Sequence, residues 1–191
     1  VQTAHSNTSI DVTQPYTVSV YVAPHEGRIT NSHYEIHARM STVDPNWRIN
    51  GIRFNLQLLN TPATRWFFNW WSQTSGSITD DGRTSGNYAF DDSVGSWFRV
   101  TFSGNNIVSA SFQGTTETIN MAHDNHVGTR IGFDVQAGEG DDDPPYDVIP
   151  AWISMFEAQY FSSSSSEPPL NRTLLVASAN GNLFEEWSSR E

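Results

Sequence analysis

Three successive stretches of the chain alternate their side-chain chemistry with a period of two. They are His33-Tyr34-Glu35-Ile36-His37-Ala38-Arg39, Ile52-Arg53-Phe54-Asn55-Leu56-Gln57-Leu58 and Arg65-Trp66-Phe67-Phe68-Asn69-Trp70-Trp71-Ser72-Gln73. This period suits strands and excludes helices, because successive β side chains point to opposite faces whereas a helix repeats every 3.6 residues. One face of the first stretch carries His33, Glu35, His37 and Arg39. The second shows Arg53, Asn55 and Gln57, backed by Ile52, Phe54, Leu56 and Leu58. The third shows Arg65, Asn69, Trp71 and Gln73 with Phe67 among them, while Trp66, Phe68 and Trp70 point the other way. Side by side they predict an antiparallel sheet with an apolar back and a solvated face of imidazoles, amides, guanidiniums and an indole.

The remaining chain repeats the pattern. Tyr16, Val18, Val20 and Val22 alternate, as do Phe98, Val100 and Phe102, then Val108, Ala110 and Phe112, then Ile131, Phe133 and Val135. Gly104-Asn105-Asn106 and Gln113-Gly114-Thr115 read as turns, with a short strand at 117–120 and a long closing strand over 152–161. Residues 1–14 read as a loose leader or edge strand, and 74–87 as a long polar connection. No amphipathic helix emerges, so the fold class is all-β, an antiparallel sandwich. One such domain is expected over residues 1–161. Residues 162–191 form a Ser/Pro-rich link and a C-terminal extension, with 174–177 and 183–184 as a candidate hairpin.

Charge narrows the partners. The formal net charge is −11, and all ten basic residues are Arg. Such a chain is poorly suited to nucleic acid, where phosphate neutralisation by Lys and Arg dominates affinity. No apolar run is long enough to span a membrane. Without cysteine there is no disulfide framework and no thiolate chemistry. Val1 in place of an initiator Met, with acceptor sequons at Asn7 and Asn171, leads to the expectation of a processed, secreted glycoprotein.

The order of the pieces resembles the galectin-type jelly roll, whose strands carry His-x-Asn-x-Arg, then Asn, then Trp followed by Glu-x-Arg. Here Arg53-x-Asn55-x-Gln57 stands at the first motif, Asn69 at the second, Trp71 at the stacking Trp and Asp81-x-Arg83 at the acid–arginine pair. The hairpin from Tyr88 through Gly95-Ser96-Trp97-Phe98-Arg99-Val100 to Gly114 is similar to that fold's hairpin, and equally to those of laminin-G and other concanavalin A-like domains. The first motif lacks the family's His and ends in Gln, and Asp replaces Glu. The resemblance, over residues 16–161, therefore implies the jelly-roll fold more strongly than galactoside specificity.

Sugar recognition is the function that this face and the resemblance suggest. An aromatic face stacks on the C–H face of a pyranose while planar polar groups bridge adjacent hydroxyls. Arg53, Asn55, Gln57, Asn69, Trp71, Asp81 and Arg83 are the candidate ligand-binding residues, and a glycan or polysaccharide is the expected partner. A simple solvated sheet face has the same alternation. A polysaccharide lyase would draw on the same face, with His37 as base and Gln57, Asn55 and Arg53 neutralising a uronate carboxylate. A capsid or filament subunit is the third reading; there the extension adds a strand to a neighbouring copy in a homo-oligomer. No cofactor is expected. His33, Glu35 and His37 share a face and form one candidate metal set, and Asp141, Asp142 and Asp143 with Asp147 form another, suited to Ca²⁺.

Overall fold

The computed structural model describes residues 2–5, 9–22, 32–43, 49–59, 65–75, 77–84, 86–91, 93–103, 106–121, 126–136, 153–160 and 172–178. Among them the regular elements are all strands: β1 (Gln2–His5), β2 (Tyr16–Val22), β3 (Ser32–Val43), β4 (Ile49–Leu59), β5 (Arg65–Thr74), β6 (Ser77–Arg83), β7 (Tyr88–Ala89), β8 (Ser96–Ser103), β9 (Ile107–Phe112), β10 (Thr115–Asn120), β11 (Arg130–Gln136), β12 (Ile153–Tyr160) and β13 (Arg172–Ser178). They form two antiparallel sheets. One runs β1-β11-β3-β4-β5-β6 with β7 beside β5, and the other runs β10-β9-β8-β2-β12-β13. The protein is an all-β jelly-roll sandwich.

The apolar halves of the alternating strands face each other across the sandwich. Tyr34, Ile36, Phe54, Leu56, Trp66 and Phe68 from the first sheet meet Tyr16, Val18, Phe98, Val100, Phe102 and Phe112 from the second in one core cluster. Aromatic pairs tie the sheets together: Phe54 to Phe102 at 6.0 Å, Trp66 to Phe112 at 5.6 Å and Phe68 to Phe98 at 5.5 Å between ring centroids. Contacts of this kind add to area burial because ring edges and faces carry opposite partial charge.

The turn expected after Phe112 is a two-residue connection. Phe112 pairs with Thr115, and Gln113 and Gly114 between them have φ of 41° and 81°. Positive φ at both central positions gives the turn the twist of the flanking strands, which Gly114 adopts without a Cβ penalty.

Of the two readings for residues 1–14, residues 2–5 take the edge strand, paired to β11. Two local expectations change. The polar segment 74–87 contains a full strand, β6, hydrogen-bonded along β5. Its composition hides it: Ser77-Ile78-Thr79-Asp80-Asp81-Gly82-Arg83 has one large apolar side chain, as an edge strand over solvent permits. Strand β3 runs on to Val43, past a register break between Ala38 and Thr42. Arg39 sits in that irregularity with φ of 52°, and the bulge re-aims its side chain. Arg39 therefore leaves the row of His33, Glu35 and His37 and donates to the backbone carbonyls of Val12 (2.9 Å) and His126 (3.1 Å).

In the extension, residues 172–178 pair antiparallel with β12 of the same chain, from Tyr160↔Arg172 to Met155↔Ser178. Asn7, Asn171, Asp141, Asp142, Asp143, Asp147 and the 183–184 segment lie outside the described residues.

Candidate functional site

Strand register assembles the candidate residues. Across the outer face of the first sheet, Gly132, His37, Arg53, Trp71 and Asp81 make one cross-strand row from β11 to β6. The next row is Asp134, Glu35, Asn55, Asn69 and Arg83. A third holds Gln136, His33, Gln57 and Phe67. Directly opposed residues have Cβ atoms about 4.5–5.5 Å apart. All seven sequence-predicted ligand-binding residues thus fall in one patch on β4, β5 and β6.

The patch is graded. Arg53, Gln57, Asn69 and Trp71 are half-buried, and Asp81 and Arg83 are exposed. The Arg53 guanidinium lies 4.6 Å from the Trp71 ring centroid, and that of Arg83 covers Phe67 at 3.6 Å. Phe67 is buried although it points to the polar side. Arg83 also donates to Asn87 at 3.2 Å, and Asn69 donates to the Gln57 carbonyl at 3.3 Å. Asn55 is 3% exposed; its amide nitrogen meets His33 Nδ1 at 2.9 Å, and its buried Oδ1 has no hydrogen-bond partner among the described residues. A buried acceptor left unmatched is costly, by about 1–3 kcal/mol. On the opposite, core-facing side Gly82 leaves room for Trp70, since a Cβ there would lie 2.2 Å from the Trp70 ring.

The expected solvated face holds only on the β5–β6 side. Towards β11 the polar side chains are enclosed: His37 is 0% exposed, Asp134 4% and Glu35 7%. Buried charge requires partners. Glu35 Oε2 accepts from Arg53 Nε (2.8 Å) and from an Arg53 terminal nitrogen, and lies 3.2 Å from His37 Nε2. This placement does not favour the lyase assignment. His37 is a buried support for Glu35, out of reach of a polymer substrate, and Arg53 is already engaged by that carboxylate. Alternation on one strand cannot reveal such enclosure.

Asp134 is the member of this group that sequence reasoning did not single out. It lies between Phe133 and Val135 on a strand whose alternation was recognised. What was not legible is that β11 lies beside β3 and sets Asp134 opposite Glu35. His33, by contrast, turns to Asn55 and leaves the expected His33–Glu35–His37 set.

These environments shift protonation. Burial pushes the Glu35 carboxyl up, but the His37 hydrogen bond and the Arg53 charge outweigh it and leave it below the ordinary range. Burial lowers His37, a shift that the Glu35 contact only partly opposes, and burial also lowers His33. All three act with one sign. A depressed carboxylate stabilises the fold above its unfolded pKa and loses that contribution as pH falls through the folded value. A depressed histidine acts likewise, since the unfolded chain takes up the proton first. Stability is therefore expected to fall on acidification from pH 7. The histidines act first, below about pH 6.5, and Glu35 at lower pH. His37→Gln should flatten the upper part of that profile in urea titrations; an unchanged slope would remove His37 from the account.

Fold and face together define a jelly-roll β-sandwich whose first sheet has an outer polar face, open on its β5–β6 side. No family model matches the chain, and no curated protein does. Similar solved structures include a homodimeric agglutinin from chicken liver, with 12% identity and a TM-score of 0.47 over 72% of this chain and 97% of that one. Sheep galectin-11 in complex with glycerol is similar at 10% identity and TM-score 0.46, over 71% and 93%. A human galectin-16 variant is similar at 13% identity and TM-score 0.45, over 72% and 95%.

Proposed function

We propose that the protein is a non-catalytic carbohydrate-binding protein acting outside the cell, and that it takes its glycan on the outer face of β4, β5 and β6. One observation carries this reading. The register sets Trp71 and Asp81, and Asn69 and Arg83, in adjacent rows of one patch that is half-buried to exposed. The half-buried Trp71 indole offers a stacking surface, and the half-buried Gln57 and Asn69 amides beside it offer donors and acceptors to ligand hydroxyls. Asp81 and Arg83 lie at the exposed rim, positioned for further hydroxyls.

The test is a glycan and polysaccharide array followed by calorimetry on any hit. Trp71→Ala and Asn69→Ala are each expected to weaken saccharide binding by about 1–3 kcal/mol, the size of a lost stacking face or a lost polar partner. Affinity unchanged in both variants moves the site elsewhere. Absence of binding to every glycan removes the reading.

A further inference from the structure

We propose that Glu35, His37 and Asp134 form a three-ligand site for a divalent transition-metal ion such as Zn²⁺, on the enclosed half of the outer face. One ligand atom from each lies within 4.8 Å of the others, and all three residues are buried. Metal–donor bonds of about 2.0–2.2 Å at tetrahedral angles set neighbouring donors about 3.3–3.6 Å apart. His37 Nε2 and Glu35 Oε2 already stand at 3.2 Å. An Asp134 carboxylate oxygen lies within 4.8 Å of both.

The donor chemistry fits. One imidazole and two carboxylates suit zinc and its neighbours, and three protein ligands leave a fourth position for water or an exogenous oxygen. The electrostatics also favour a cation. Glu35 and Asp134 face each other directly across β3 and β11. Two carboxylates so opposed repel, and burial strengthens the repulsion. With Arg53 offsetting one of the two negative charges, the cluster keeps a net charge of −1 to attract a cation. Arg53 grips Glu35 from β4, the kind of outer contact that orients ligating carboxylates. All three ligands stand on paired strands, which fix them more tightly than loops would. This inference does not rest on saccharide binding, and either can fail alone.

The test uses the full chain stripped with EDTA and titrated with Zn²⁺ by calorimetry. One ion per chain is expected to bind. Asp134→Asn and His37→Gln should each weaken that binding by more than about 100-fold, since even loss of an outer-shell partner costs about 10–100-fold. Asp142→Asn, in the other acidic segment, should leave it unchanged. If the ligand variants fold poorly, nitrogen NMR of the wild-type imidazoles gives the answer: Zn²⁺ should shift the His37 ring resonances at one equivalent. No stoichiometric binding, binding that survives Asp134→Asn in a folded protein, or an unmoved His37 resonance would each overturn the proposal.

Discussion

Phe68→Ala is expected to lower the unfolding free energy by about 3–5 kcal/mol, the usual cost of emptying a large aromatic site in a core. Phe68 is fully buried at the centre of β5. Its ring lies 5.5 Å from Phe98 of the opposite sheet at an interplanar angle of 18°, and 4.7 Å from Trp66. Truncation would open a void bounded by both sheets, and neighbouring aromatics are too stiff to fill it. The backbone of Phe68 would keep its bonds, since its N–H donates to Thr84 Oγ1 and its carbonyl accepts from the Thr84 N–H. The loss should therefore appear in urea titrations as a lower midpoint at unchanged slope. A loss below about 1 kcal/mol would mean that the sheets do not interlock at this point.

The second large effect concerns the enclosed charges. Glu35→Leu is expected to cost about 2–4 kcal/mol, because it strips the acceptor from a buried network while leaving its donors in place. The figure lies near the lower part of the range for buried pairs, since Arg53 keeps 15% side-chain exposure and a resting place over Trp71. Arg53→Met is expected to cost a similar amount by stranding the Glu35 carboxylate. The double variant Glu35→Leu/Arg53→Met should be more stable than the sum of the singles by at least about 1 kcal/mol, because no charge is then left unpaired. Strict additivity in that cycle would show that the two residues do not act as a pair in solution.

These two predictions draw on parts of the chain that were unequally legible. The Phe68 prediction follows from a pattern visible in the sequence. Alternation along 65–73 assigned Trp66, Phe68 and Trp70 to one side, and Trp66 and Phe68 are fully buried there. The same logic placed Phe54, Leu56, Val100 and Phe112 in the core. Period-two alternation reports which side a residue faces, and burial of one sheet side is a local consequence of it. The candidate patch was legible to the same extent, because Arg53, Asn55, Asn69 and Trp71 lie on two strands adjacent in both sequence and space.

The Glu35 prediction was not legible in that way. Alternation placed Glu35 and His37 on the polar side but could not show that this side is open near β6 and enclosed near β11. Nor could it show that Arg53 would be drawn to Glu35, or that a bulge at Arg39 would send that guanidinium to two backbone carbonyls.

The sequence alone determined an all-β sandwich, the inward set of its strands and the cluster of polar residues on 53–57 and 69–71. Only the tertiary structure decided the neighbours: β6 drawn from a polar segment onto the edge of β5, 172–178 paired to β12, and β11 laid beside β3 so that Asp134 meets Glu35 and His37. The reason is physical. Side-chain alternation follows from backbone geometry within a few residues, whereas strand order, register and enclosure depend on contacts between residues about a hundred positions apart, as Glu35 and Asp134 are.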